Sequence, residues 1–285
     1  MSKIGFIGGS GYYNISTLED VRTREVDTPF GRPSSAYVIG KKNGREFVFL
    51  PRHGAHHTLS PSQINYRANI YGFKSLGVSR IFSFSAVGSM KKENKVEDIL
   101  VPDQFIDWTK SRAATFFDEG VVAHVSMAEP TCPEMHAFIA SLLKDLGYAH
   151  KMGGTYINIE GPQFSSKGES FLYKSWGVDV IGMTNATEAK LCREAELCYI
   201  SLNFVTDYDC WHEEEEHVST TQILEVLKRN VSKAKAITNR IMDTFHPAGN
   251  CDCDQALSCA IVTQPKGIHA FARKKYDLLI GKYVK

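Results

Sequence analysis

Along the first 245 residues the spacing of apolar positions switches repeatedly between a period of two and a period near 3.6, marking short strands interleaved with helices. "KIGFIGG" is a short apolar strand that ends in glycines. "SAYVIGKKNGREFVFLP" holds two β-rich runs around Lys41-Lys42-Asn43-Gly44, and because Asn-Gly accepts positive φ it predicts a hairpin. In "SPSQINYRANIYGFKSLG" Ser60 fits an N-cap, Pro61 the first helical position and Gln63 a capping box, so a helix is expected from there to Gly77. "RIFSFSAVGS" predicts a buried strand running into a Gly-Ser turn, "PEMHAFIASLLKDLG" an amphipathic helix and "GTYINIEG" an alternating strand. After these come a helix in "SKGESFLYKSWG", a buried strand in "VDVIGM", a short helix in "TEAKLCREAEL" and a strand in "CYISLNFV". A long helix is expected over "STTQILEVLKRNVSKAKAITNRIMDTF", opened by a capping box of Ser219 and Gln222.

Strands and helices that alternate without a linker predict a single α/β domain over residues 1–245, a central mixed β-sheet flanked by helices. The early hairpin argues against a purely parallel sheet. Beyond Phe245 the pattern weakens, so residues 246–285 read as a C-terminal extension: "HPAGNCDCDQALSC" is turn-like and "KGIHAFARKKYDLLIGKY" suits one more helix.

Composition excludes several classes. With 33 basic against 32 acidic residues, no global field favours nucleic acid or an anionic membrane. "MSKIGFIGGSG" has no signal-peptide pattern, and no run reaches the roughly 18 apolar residues of a spanning helix. The expectation is a cytoplasmic protein acting on small molecules, without nucleic-acid or membrane partners.

Four segments at the ends of apolar runs expose small or polar groups, the usual place for ligands in α/β sheets. "GGSG" (Gly8 to Gly11) offers backbone N–H groups and the Ser10 hydroxyl to an anion, but matches neither a Walker A loop nor G-x-G-x-x-G. In "PRHGAHHT" Arg52 can grip an oxyanion, with His53 beside it; the zinc spacing H-E-x-x-H is absent. "SAVGS" lets a ligand approach the backbone near Ser85, and "INIEGPQFSSKGES" carries an aromatic, Phe164, able to stack on a base or pack in the core. In "FVTDYDCWHEEEEHV" Asp207 and Asp209 share one face of a strand, whereas Glu213 to Glu216 read as a solvated loop, with His212 and His217 belonging to it. An anion site, a flat apolar ligand and two carboxylates fit inorganic phosphate plus a purine nucleoside. A carboxylic acid then protonates the leaving purine at N7, and phosphate serves as nucleophile, so no metal or organic cofactor is required.

Several long motifs in order, "IGFIGGSG", "PRHGAHHTLSPSQINYRANIY", "INIEGPQFSSKGESFLYKSWGVDVIGMT" and "TDYDCWHEEEEHVS", closely resemble the trimeric purine nucleoside phosphorylase family, and within it the branch that cleaves 5′-methylthioadenosine. The match runs over roughly residues 3 to 245. The resemblance implies a distorted central sheet, a homotrimer or a dimer of trimers, and no cofactor beyond the co-substrate phosphate. Carried over, the phosphate site comprises Ser10, Arg52, His53, Ser85, Ala86 and Thr184. Phe164 packs on the purine and Met183 holds the ribose. Asp207 is the proton donor at N7, and Asp209 reads the 6-amino group. Val218, Thr220 and Leu224 line the 5′-methylthio pocket, which His124 reaches from a neighbouring subunit. The 6-oxopurine enzymes of this resemblance carry Asn at the position of Asp207, so Asp there points to adenine. Broader activity on adenosine or inosine, and a catalytically silent binding or zinc-scaffold protein, are the alternatives.

Three departures stand out. Gly182 replaces an Asn that contacts the base, Thr187 replaces a proline and suggests a local turn change, and the residues from His246 onward align poorly. Of seven cysteines, Cys132, Cys192, Cys198 and Cys210 read as small buried hydrophobes. Cys251, Cys253 and Cys259 leave three readings open: free thiols, disulfides as in the Cys-x-Cys tails of some heat-stable members, or zinc ligands. Zinc lacks a fourth partner and the usual Cys-x2–4-Cys spacing, so no metal is assigned.

Overall fold

The computed structural model describes residues 3–9, 17–212, 220–249 and 251–284, with the backbone alone at 220–224. In chain order the strands are β1 (Lys3–Gly8), β2 (Glu19–Arg24), β3 (Tyr37–Lys42), β4 (Arg45–Pro51), β5 (Val78–Ser89), β6 (Ile99–Val101), β7 (Gln104–Trp108), β8 (His150–Met152), β9 (Thr155–Ile159), β10 (Val180–Gly182) and β11 (Cys198–Tyr208). The helices are α1 (Tyr66–Ser75), α2 (Pro133–Asp145), α3 (Lys167–Ser175), α4 (Asn185–Glu194), α5 (Thr220–Thr244) and α6 (Ala270–Ile280).

All the strands join one mixed sheet. Its main path runs β2-β3-β4-β1-β5-β10-β9-β7, while β11 pairs with β5 and leads through β6 to β8. The long β5 explains the distortion. Its first half pairs in parallel with β1, its last residues pair antiparallel with β10, and β11 follows it in parallel for nearly its whole length. The β3–β4 hairpin forms at the expected turn, with Asn43 and Gly44 both at positive φ (52° and 71°).

Alternation across the pleat divides the core. Val48 and Leu50 of β4 face a cluster built with α1, α4 and α6, whereas Phe47 and Phe49 face the other side, with α2 and α5. On that second side Phe6 stacks on Phe49 at 4.9 Å and on Phe82 at 5.8 Å. Leu257, Ile268, Tyr276, Leu279 and Ile280 bury themselves in the first cluster, so the residues after Phe245 complete one face of the sheet. No helix among the described residues is long and apolar enough to cross a membrane.

Three local expectations are corrected. The helix begins not at Ser60 but at Tyr66, because Asn65 caps it by accepting from the Ala68 N–H. Ser60 and Gln63 do bond each other, but the Ser60 N–H donating to Gln63 closes a separate turn. "SAVGS" is strand throughout, since β5 continues to Ser89. Thr187 sits in the first turn of a regular α4, where proline and threonine are both compatible, so no turn change results.

Candidate active site

A cavity of about 1650 Å³ opens at the carboxyl ends of β1, β4, β9, β10 and β11 and along the second half of β5. Ordinary small-molecule sites measure about 300–1,000 Å³, so this one has room for two reactants side by side. Arg52, His53, Ser85, Ala86, Phe164, Met183, Thr184, Asp207 and Asp209 all line it. Ser10, Val218 and Ser219, the Glu213–Glu216 run, His217, and the side chains of Thr220, Gln222 and Leu224 lie outside the described residues. His124 is exposed, its N–H donates to the Ala260 carbonyl at 2.9 Å, and it does not line the cavity of its own chain.

The anion end is built around Arg52, which follows β4 and is 1% exposed. Nε donates to Glu188 Oε1 at 2.5 Å and Nη2 to Glu188 Oε2 at 3.2 Å; Nη2 also donates to Ser83 Oγ, and Nη1 to the Phe84 carbonyl. Four of the five guanidinium protons are therefore engaged inside the protein. Glu188 is further fixed by hydroxyls of Ser83 (2.7 Å) and Tyr199 (2.8 Å). Sequence reading missed Glu188, whose only signal was a carboxylate on the inward face of α4.

His53 donates from Nδ1 to the Leu59 carbonyl (2.9 Å) and stacks on His57 at 4.4 Å. Burial, with the Arg52 charge beside it, pushes its pKa down to about 4. Its imidazole is thus neutral at physiological pH, and Nε2 presents a lone pair, suited to accept from a phosphate O–H. Thr184, the buried N-cap of α4, has a hydroxyl with no hydrogen-bond partner among the described residues. It stands at the positive end of the helix dipole, where an anion is favoured.

At the other end β11 delivers the two aspartates. A bulge shifts its register against β5 between Val205 and Asp207, so the plain alternation expected from sequence breaks at Thr206. Thr206, Asp207, Tyr208 and Asp209 consequently all reach the cavity wall. Thr206 Oγ1 lies 2.6 Å from Asp207 Oδ1 and 3.2 Å from the Val87 carbonyl. It can donate to an ionised Asp207, or donate to Val87 and accept from a protonated Asp207, so it serves both states of a proton carrier. Asp209 is buried, which raises its pKa, and its Oδ2 is without a partner among the described residues.

Between the ends, Phe164 is 81% exposed, which rules out core packing for it. Met183 lies so close to Gly161 that a Cβ there would sit 2.4 Å from Sδ. Arg112, also missed from sequence, donates to the carbonyls of Met183 and Glu160 and lies over the Tyr66 ring, tying this wall together. Gly182 has a structural cause: a Cβ there would stand 2.1 Å from the Tyr156 hydroxyl, so an Asn cannot fit while Tyr156 holds its place.

The family model described as "Phosphorylase superfamily" matches residues 3–243. The chain belongs to the phosphorylase superfamily. Similar members include S-methyl-5′-thioadenosine phosphorylases of Geobacter sulfurreducens (51% identical, 99% of each chain) and Koribacter versatilis (49%, covering 99% of this chain and 97% of that one). These alignments run beyond Phe245, so the poor match expected for the extension does not hold against them. Among solved phosphorylases, a methylthioadenosine phosphorylase from an antarctic soil metagenomic library superposes with a TM-score of 0.90 at 41% identity, covering 97% of this chain and 98% of that one. A Schistosoma mansoni adenosine/methylthioadenosine phosphorylase variant, solved in complex with methylthioadenosine, gives 0.80 at 33% identity over 85% of this chain and 91% of that one.

Proposed function

We propose that this chain carries out phosphorolysis of 5′-methylthioadenosine, releasing adenine and 5-methylthioribose 1-phosphate for purine and methionine salvage. What carries the reading is one cavity with a buried guanidinium and an unpartnered Thr184 hydroxyl at one end and paired aspartates at the other. Phosphate binds by Ser10, Arg52, His53, Ser85, Ala86 and Thr184. The purine lies against Phe164, and Met183 holds the ribose. As the C1′–N9 bond breaks, its electron pair passes into the purine and positive charge grows on the sugar. Asp207 gives its proton to N7, so the base leaves neutral, and a phosphate oxygen bonds to C1′. Asp209, on the same cavity wall, accepts from the 6-amino group. The electron count closes without a redox carrier, so inorganic phosphate is the only co-reactant.

The working unit in this reading is a trimer or a dimer of trimers in the cytoplasm, in which His124 completes a neighbour's 5′ pocket with Val218, Thr220 and Leu224. Its outward position supports that role, as do the exposed Phe171 and Leu172 of α3 and Trp176 at its C-cap as an apolar face for association. The deciding experiment incubates protein with methylthioadenosine with and without phosphate. Adenine should form only with phosphate; equal release without it would indicate a hydrolase. Faster turnover of adenosine or inosine would favour the broader-specificity alternative.

A further inference from the structure

Cys132, Cys198, Cys251 and Cys253 converge, and their four sulfurs all lie within 4.8 Å of one another. They come from separate parts of the chain: Cys132 from the N-cap of α2, Cys198 from the first residue of β11, and Cys251 and Cys253 from the segment that follows α5. Cys259 is exposed and takes no part. The sequence offered Cys251, Cys253 and Cys259 as a ligand set one short, and the fold both replaces Cys259 and supplies the missing donor.

We propose that these four cysteines form a structural zinc site. Zinc bonds thiolate sulfur at about 2.3 Å, which puts the sulfurs of a tetrahedral site about 3.8 Å apart. Cys198 and Cys251 already stand 3.5 Å apart, so closure on an ion needs only small side-chain movements. Cys132, Cys198 and Cys253 are buried in the apolar cluster with α2 and α5 and Cys251 is half-buried against it, so four sulfurs would fill every coordination position, as in closed structural sites. Four thiolates around a dication leave two negative charges. Cys132 meets the positive end of the α2 dipole, and Arg80 balances the neighbouring Glu134 at 3.2 Å. The Cys132 N–H donating to the Tyr199 carbonyl (2.9 Å) fixes two of the ligand-bearing backbones together before any metal arrives.

The site does not belong to the catalytic cavity. Cys198 begins β11 and Asp207 lies nine positions further on, about 30 Å at the rise of a strand. Zinc would therefore clamp the tail onto the sheet without entering the reaction.

Full-length protein purified under reducing conditions should contain about one zinc per chain by elemental analysis. Replacing zinc by cobalt should give the sulfur-to-metal charge-transfer bands and intense ligand-field bands of tetrahedral thiolate coordination. Cys253→Ser should lose the metal and lower the thermal midpoint by several degrees, whereas Cys259→Ser should keep both. If Cys253→Ser does not fold, the cobalt spectrum of the unaltered chain still decides. Absence of metal, iron in place of zinc, or an intact mass short by two or four hydrogens, as disulfides require, would overturn the assignment.

Discussion

Glu188 takes both faces of the Arg52 fork, at 2.5 and 3.2 Å, in a pair that solvent hardly touches. Removing one member of such a pair leaves a buried charge alone. Glu188→Gln should therefore cost about 3–5 kcal/mol of stability in urea unfolding. In steady-state assays it should raise the KM for phosphate more than the KM for the nucleoside, because Arg52 loses its position at the anion end. An equal rise in both would deny Arg52 its place at phosphate.

Asp207→Asn keeps the shape of the side chain and the contact with Thr206 while removing the acid. The expected loss in kcat on methylthioadenosine is about 10²- to 10⁴-fold, with an unchanged thermal midpoint. Activity on inosine should rise relative to methylthioadenosine, since an amide can donate to a 6-oxo group. Asp209→Asn should mainly raise the nucleoside KM; if it were the variant that abolished turnover, the two roles would be exchanged.

Gly182 and Tyr156 form a coupled pair. Gly182→Ala puts a methyl 2.1 Å from the Tyr156 hydroxyl and 2.7 Å from its ring carbon Cζ, so it should lower the melting midpoint. Tyr156→Phe removes the closer contact, and the double variant should be more stable than Gly182→Ala alone. Additive losses would mean that Tyr156 can move aside.

Two buried groups pull the pH dependence of stability in opposite directions. His53 titrates near 4 in the fold against 6.5 when unfolded, so between those values only the unfolded chain binds its proton and stability rises with pH. Burial lifts Glu194 to about 7 from 4.5, so there the folded chain keeps a proton and stability falls as pH rises through that window. Glu160 and Asp118, held near 2, titrate below this range. Glu194→Gln removes the falling component, and its urea midpoint should climb more steeply from pH 4.5 to 7 than that of the unaltered protein.

How much was legible in the sequence follows from the range of the forces involved. The Asn43-Gly44 turn and the helix of "SKGESFLYKSWG" are set by near neighbours, so pattern reading finds them, although the Ser166–Glu169 capping box that starts α3 went unread. The same chemistry misleads at Ser60 and Gln63, where an identical side-chain-to-backbone bond closes a turn instead of a helix. Arg52, His53, Asp207 and Asp209 were visible as residue types at strand ends, and Thr184 only through the family resemblance. Glu188 was not, because its meaning lies in a partner 136 positions away. Nor was the reason for Gly182, which is the hydroxyl of a tyrosine on the adjacent strand. The cysteine cluster combines both limits: its Cys-x-Cys half is local, and its other half exists only in the folded sheet.

The pairing of Arg52 with Glu188 also bears on what phosphate brings to the reaction. A bare guanidinium would quench the incoming anion and hold its oxygens back as weak nucleophiles. With that positive charge already answered by a carboxylate, phosphate bound as proposed meets mainly neutral groups: donating hydroxyls and the start of a helix, and an uncharged imidazole that accepts. Its negative charge is left largely intact, turned toward the one cation that appears only while the glycosidic bond is breaking.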